Sequence, residues 1–274
     1  MRGNGKRLLT QVRVLRRKAI RALPPDVRRI AGAVWSFVKE PVLAVIIALA
    51  ATTAIARPYY VPSGSMEPTI QIGDDLITAK YAYGYSRYSL PWAIGPSSST
   101  RFLQRMPQRG DVVVFRLPRD PDVNYIKRVI GLPGDRIQML GGRLWINDKE
   151  LPLKADGSGT VETESGEMVS VPRYIETLPD GRTHAIFKFQ WNGQYDNTAV
   201  YVVPPGHLFM MGDNRDNSLD SRVAEDQGGV GYVPMENLIG RAEFVMGSVD
   251  FKNADSLLEW PAELRTQRFF KSVN

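Results

Sequence analysis

The feature that most limits what this 274-residue chain can become is one uncharged apolar run near its start. The stretch "PVLAVIIALAATTAIA", Pro41 to Ala56, follows a tail dense in positive charge. Val42 to Ala56 is about fifteen residues without a charge, roughly 22 Å as helix. A bilayer core is about 30 Å thick. Adding "AGAVWSFVKE" in front supplies the missing turns and leaves Lys39 and Glu40 near the membrane edge, where lysine can snorkel. A buried core helix suits the length but not the flanking charge. A cleavable leader suits the small-x-small triplet Ala54-Ile55-Ala56, but roughly forty residues ahead of the run make a poor n-region. The preferred reading is one membrane anchor over residues 34–56, with a basic tail, 1–33, in the cytoplasm and everything after Arg57 outside.

Charge supports this division. The formal net is +6, yet ten Lys or Arg stand between Met1 and Arg29 against Asp26 alone. That segment carries about +9, so the remainder is near −3. The basicity belongs to the tail, which removes the support for a nucleic-acid partner. The chain has no cysteine, excluding disulfides, thiol catalysis and Cys-based zinc sites.

Beyond Arg57 the chain reads as strands and turns. "DVVVF", Asp111 to Phe115, is a short apolar run of buried-strand type. "YIKRVIGLPGD", Tyr125 to Asp135, is a strand ending in a Leu-Pro-Gly-Asp turn. "RIQMLGGRLWIND" sets Gly141-Gly142 between alternating runs, a hairpin signal. Helical periodicity is weak, so the expected fold is mostly β and antiparallel. Residues 151–198 are polar and rich in Gly, Thr and Glu, and read as a less densely packed β insertion between core segments 57–150 and 199–250. "SLPWAIGPSSST", Ser89 to Thr100, reads as a surface loop. Residues 251–274, with Trp260, Phe269 and Phe270 among basic residues, read as a solvated tail, with membrane-surface contact as the alternative.

Three stretches carry candidate chemistry. "YVPSGSMEPTIQIGD", Tyr60 to Asp74, has two serines around a glycine with a proline on each side. Ordinary turn chemistry explains that composition; so does a nucleophile held on a rigid, exposed turn. Ser65 lies nine residues after Ala56, a tether of about 30 Å at most, which keeps it near the outer membrane surface. The two histidines, His184 and His207, lie in no triad-like arrangement and read as exposed or structural, and two are too few to suggest a His-based metal site. A base for Ser65 must then be something else. Lys127 in "NYIKRVIG" is the best candidate: on a strand Lys127 and Arg128 face opposite ways, so one of them points into apolar surroundings. Burial lowers a lysine pKa from its usual 10.4 or so, and two units of lowering cost about 2.7 kcal/mol of folding free energy. A surface Lys-Arg pair is the rival reading. Finally, "GDNRDNSLDSR", Gly212 to Arg222, has the oxygen ligands of a calcium loop but puts Arg215 at a ligand position and lacks a bidentate Glu. A polar loop stiffened by Asp–Arg pairs fits better.

Together "PSGSMEPT", "GDDLITAKYAYG", "RGDVVVF", "YIKRVIGLPGD" and "GDNRDNSLDSR" stand in the order found in bacterial signal peptidase I, and the chain resembles that family in its single-anchor form. These boxes cover about a fifth of the chain but span Pro62 to Arg222. The resemblance implies a Ser-Lys dyad serine endopeptidase with Ser65 as nucleophile and Lys127 as general base. Ser63, with the Ser65 N–H, would form the oxyanion hole. Ser218 would position the lysine amine, and Asp220 and Arg222 would support it. Val61, Met66, Ile70, Tyr125 and Ile126 would line shallow pockets for small side chains. The implied partners are signal-peptide-bearing preproteins and membrane lipid. The enzyme would be a monomer without metal or cofactor, on the bacterial inner membrane with its catalytic domain on the periplasmic side. Glu67 departs from members with an apolar residue there, and Ser86 to Arg109 is longer than the motifs require. A self-cleaving regulator with the same dyad and an inactive membrane-anchored β scaffold are the alternatives.

Overall fold

The structure is a computed structural model that describes residues 24–89, 101–163, 166–249 and 263–273. The tail up to residue 23, most of the loop expected at Ser89–Thr100, and Trp260 lie outside them. The chain divides at Ala51/Thr52 into two compact units.

The first unit is built on one helix, α1 (Pro25–Ala54). Pro25 suits a first helical position, where no N–H is needed, and Asp26 favours the positive end of the helix dipole. This start lies ahead of the expected anchor boundary, and the helix ends two residues before Ala56. Within Pro25–Ala48 an 18-residue window reaches a mean hydropathy of 1.7, and none of that window is buried inside the structure. Trp35, Phe37, Leu43, Ile46 and Ile47 are all exposed. A helix that is apolar and unburied on this scale is suited to lipid.

The second unit is antiparallel β, as the strand-and-turn pattern predicts. Its strands are β1 (Ala56–Tyr60), β2 (Asp74–Ala79), β3 (Val112–Leu117), β4 (Asp120–Gly131), β5 (Arg136–Leu140), β6 (Arg143–Ile146), β7 (Lys149–Glu150), β8 (Leu153–Glu162), β9 (Met168–Thr177), β10 (Thr183–Phe187), β11 (Tyr201–Val202), β12 (His207–Met211), β13 (Val233–Pro234) and β14 (Leu238–Ser248). A seven-stranded sheet has the order β1-β2-β14-β3-β4-β12-β13. A four-stranded sheet, β11-β5-β6-β7, contains the Gly141-Gly142 hairpin, and β10-β9-β8 form a third sheet. Both hairpin glycines have positive φ (55° and 76°), the conformation that favours glycine.

"DVVVF" becomes the centre of the large sheet because it is buried on both faces: Val112, Val113, Val114 and Phe115 are at most 2% exposed. One face packs with Val129, Leu208, Met210 and Leu238. The other packs with Val61, Met66, Ile70, Leu76 and Val245. The second cluster anchors the segment that carries Ser65.

The insertion packs more tightly than its composition suggests. Glu176, His184, Ile186 and Phe187 are buried, and Phe187 forms a parallel bridge with Asn214 of the core. The end of the tail docks on this unit at a few points while residues such as Leu264 and Phe270 stay exposed. Ser272 bridges Phe244, Leu264 bridges Val249, and Val273 is buried. Arg268 donates to both carboxylate oxygens of buried Asp74, at 2.8 and 2.5 Å. The charged partner for Asp74 is 194 residues away in sequence, so no local pattern could announce it. Arg268→Ala strands a buried carboxylate, which typically costs about 3–5 kcal/mol. The expected melting temperature falls by roughly 6–20 °C; a shift under 2 °C or so in a thermal denaturation scan would show that the pair does not hold the tail.

Candidate active site

Ser65 lies in a 3-10 turn, Gly64–Met66, entered through extended Ser63 (φ −134°, ψ 149°). Met66 and Ile70 reach zero exposure beneath it, fixing the turn to the core while Ser65 stays at its rim. Lys127 arrives from β4, paired across the sheet with Val113. Its Nζ is 2.6 Å from Ser65 Oγ, and the residue is 3% exposed. The Tyr125 ring centroid is 5.3 Å from the same nitrogen. Burial pushes the Lys127 amine down to about 8; Asp220 and Asp213 pull it up, less strongly, and Arg222 pushes it down.

Both members of the Lys-Arg pair are buried, on opposite faces of β4, where the sequence pattern offered only one. Arg128 is spent on Asp213, which it holds through Nε at 2.8 Å and Nη2 at 2.6 Å. Thr69 donates to the same carboxylate at 2.5 Å. The 212–222 loop is an Asp–Arg scaffold as expected. Arg222 donates to both oxygens of Asp220 at 2.9 Å, and the Gly212 N–H donates at 3.0 Å. Burial alone would raise the Asp213 and Asp220 pKa values, but the guanidinium beside each outweighs it and holds both carboxyls low. The third acid, Asp216, pairs with buried Lys188 at 2.5 Å.

The scaffold touches the Ser65 turn directly. The Asn214 N–H donates to the Ser65 carbonyl at 3.1 Å, and Asn214 Nδ2 donates to the Gly64 carbonyl at 3.2 Å. Gly212 permits the approach: a Cβ there would collide with the Ser218 side chain and the Ser65 carbonyl. Ser218 Oγ is buried and has no hydrogen-bond partner among the described residues; it makes no hydrogen bond to Lys127.

A cleft of about 430 Å³ opens over the pair. Val61, Ser63, Ser65, Tyr125, Ile126 and Lys127 line it. Met66 and Ile70 are packed in the core cluster below the turn. Asn217 and Leu219, which sequence reasoning missed, do line the cleft. The signal was available: they flank Ser218 in the motif, and alternate residues of an extended loop share a side. Glu67 folds its carboxyl back to Gly64, where an added Cβ would lie 2.8 Å from Glu67 Oε2. Burial, helped by Glu162, raises that carboxyl to about 7. His184 is buried and contacts the Glu176–Arg215 pair rather than the cleft, and burial pushes it down to about 4.

A family model for signal peptidase, peptidase S26, matches residues 34–247. The chain belongs to this family. Signal peptidase I of Rickettsia typhi (strain ATCC VR-144 / Wilmington) is 41% identical over 246 residues, covering 84% of this chain and 90% of the relative. Signal peptidase I of Rickettsia akari (strain Hartford) is 40% identical over 246 residues, with 84% and 89% covered. A crystal structure of a signal peptidase I from Enterococcus faecalis V583 is 23% identical; it covers 50% of this chain and 97% of that one at a TM-score of 0.29, too low to decide anything. The S26 match runs from within α1 to within β14, so it takes in the apolar helix, the Ser65 turn, β4 and the 212–222 loop.

Proposed function

We propose that this chain is a membrane-anchored serine endopeptidase that removes signal peptides from secreted preproteins, cutting after small residues in Ala-x-Ala segments. The observation that carries the reading is the 2.6 Å approach of a buried, pKa-lowered Lys127 amine to Ser65 Oγ. The neutral amine accepts the Ser65 proton as Oγ attacks the scissile carbonyl carbon. The carbonyl oxygen becomes an oxyanion, received by the Ser65 N–H and the Ser63 hydroxyl. Lys127, now an ammonium, returns the proton to the leaving amine as the C–N bond breaks. Water then attacks the acyl-enzyme with the same amine as base, releasing the acid product and restoring Ser65. General-base help of this kind is typically worth 10²–10⁴-fold.

The remaining assignments follow from this chemistry. Val61, Tyr125 and Ile126 form the apolar floor that receives small side chains of an extended substrate. Asp220 and Arg222 keep their loop rigid around the amine. Ser218 offers a buried hydroxyl with a free hydrogen-bonding capacity next to the Ser65 turn. Residues 57–150 and 199–250 make up the catalytic core and residues 151–198 the insertion. With the basic tail inside, α1 sets this core on the outer, periplasmic face of the inner membrane, where translocated precursors emerge.

Incubating the detergent-solubilised protein with a secretory precursor tests the reading. A new N-terminus directly after an Ala-x-Ala triplet is expected, and a precursor left intact overturns it. Ser63 is exposed at the cleft and its hydroxyl makes no capping bond to the turn, so it is free to meet an oxyanion. Ser63→Ala is expected to lower kcat by about 10²-fold with little change in KM, the usual effect of losing one oxyanion donor. An unchanged kcat in steady-state cleavage of a precursor peptide would remove Ser63 from the hole.

A further inference from the structure

We propose that Asn214 is a positioning residue that fixes the direction of the Ser65 N–H, the backbone donor of the oxyanion hole; this rests on the Ser65 reading above. A peptide unit is planar and trans, so the Gly64 carbonyl and the Ser65 N–H point opposite ways in one plane. Whatever holds that carbonyl aims that N–H. Two donors reach it: the Glu67 N–H at 3.1 Å, which belongs to the turn and moves with it, and Asn214 Nδ2 at 3.2 Å, which comes from another segment. The Asn214 N–H also holds the Ser65 carbonyl at 3.1 Å. One residue therefore pins both peptide planes that meet at the Cα of the nucleophile.

The side chain fits this role better than a stabilising one. Asn214 has zero exposure, and its Oδ1 is buried without a partner among the described residues. Turning the amide over would set Oδ1 against the Gly64 oxygen, so the donor orientation is the only one that bonds. An unsatisfied buried acceptor usually costs stability. A side chain that leaves half its bonding capacity unused, and still occupies the spot, serves geometry.

Asn214 is itself held from outside the core. The Phe187 N–H donates to the Asp213 carbonyl and the Arg215 N–H to the Phe187 carbonyl, each at 3.0 Å, bracketing Asn214. Arg215 then forks onto Glu176 of β9 at 2.9 and 2.6 Å. The insertion thus reaches the nucleophile turn through Asn214.

The test compares the full-length detergent-solubilised wild type with Asn214→Ala, Asn214→Asp and Ser65→Ala. Cleavage of a precursor peptide and affinity for a peptide aldehyde are measured; the aldehyde adds Ser65 Oγ to its carbonyl and so presents a tetrahedral oxygen to the hole. For both Asn214 variants kcat is expected to fall by about 10²-fold with KM unchanged. Aldehyde affinity should fall by a similar factor, while the melting temperature holds or rises in Asn214→Ala. A purely structural role predicts the reverse, a lower melting temperature with aldehyde affinity kept, and would overturn the proposal. So would a wild-type kcat, or a raised KM with kcat kept. If Asn214→Ala does not fold, Asn214→Asp, which keeps the shape and removes the donor, decides on the same criteria. Ser65-dependent cleavage in the wild type, together with full activity in the Asn214 variants, sinks the proposal alone. Wild-type cleavage that survives Ser65→Ala sinks the dyad reading as well.

Discussion

Ser65→Ala is expected to leave a secretory precursor uncut, a loss on the order of 10⁶ in kcat, which is the scale seen on removal of a nucleophile from a serine protease. The reason is local. Ser65 Oγ is the hydroxyl within hydrogen-bonding reach of Lys127 Nζ, and the cleft over the pair exposes it to substrate. Among the described residues no other serine takes its place. Ser63 enters the turn from the cleft side in extended conformation, and Ser218 Oγ is buried without a bond to the amine. The fold should survive, since the turn is held by Met66 and Ile70 in the core and by backbone bonds from Asn214 and Glu67, none of which involves the hydroxyl. The change in stability should stay near 1 kcal/mol, the worth of one ordinary hydrogen bond. Cleavage assay and thermal denaturation read the two quantities separately. Precursor processing above about 1% of the wild-type rate would move the nucleophile elsewhere.

How much of this was readable in the residues depends on the range of the interaction. The strands "DVVVF" and "YIKRVIG" and the Gly-Gly hairpin are local patterns, and each forms where the pattern puts it. The mostly β antiparallel fold followed from them. The candidate serine and lysine were legible because their neighbours are fixed by short-range needs: a turn between prolines, and a strand whose alternation carries a lysine inward. What escaped was pairing between distant segments. Arg101 falls in the stretch that looked like surplus loop, yet it is buried and donates to the carbonyls of Tyr83, Gly84, Met235 and Leu238. Glu176 lies in the polar insertion, yet it is buried against Arg215, beside a His184 that takes the structural of its two expected places. Composition marks such residues as surface because a charge is normally buried only with a partner, and the partners here are tens of residues away. Met66 shows a related effect: it follows Ser65 in the chain, yet it is buried in the core. A turn of 3-10 form spins successive side chains by about a third of a revolution, so residues next to a nucleophile in sequence need not share its face.

Lys127 gives the sharpest second test, because its two substitutions separate charge from bulk. Lys127→Arg is expected to be inactive, since a guanidinium stays protonated and cannot accept the serine proton. Lys127→Met is expected to be equally inactive but more stable than wild type. At neutral pH most of the wild-type protein holds this amine charged in a site that disfavours the charge. With a folded pKa of about 8 against an ordinary 10.4 or so, the penalty is about 3 kcal/mol. The direction with pH follows. Between these two values the unfolded chain binds more protons than the folded one, so stability rises with pH across that window and the wild-type deficit closes towards its upper end. Activity should rise with pH too, because only the neutral amine is a base. About one molecule in ten is neutral at pH 7, and kcat/KM should climb roughly tenfold per unit below the pKa, with its midpoint near 8. An unburied lysine would put that midpoint more than two units higher. Activity in Lys127→Arg, or a flat kcat/KM profile between about pH 6 and 8, would remove lysine as the base. A destabilised Lys127→Met would instead mean that the amine's hydrogen bond to Ser65 Oγ outweighs its desolvation, and that the site carries no stored cost for catalysis.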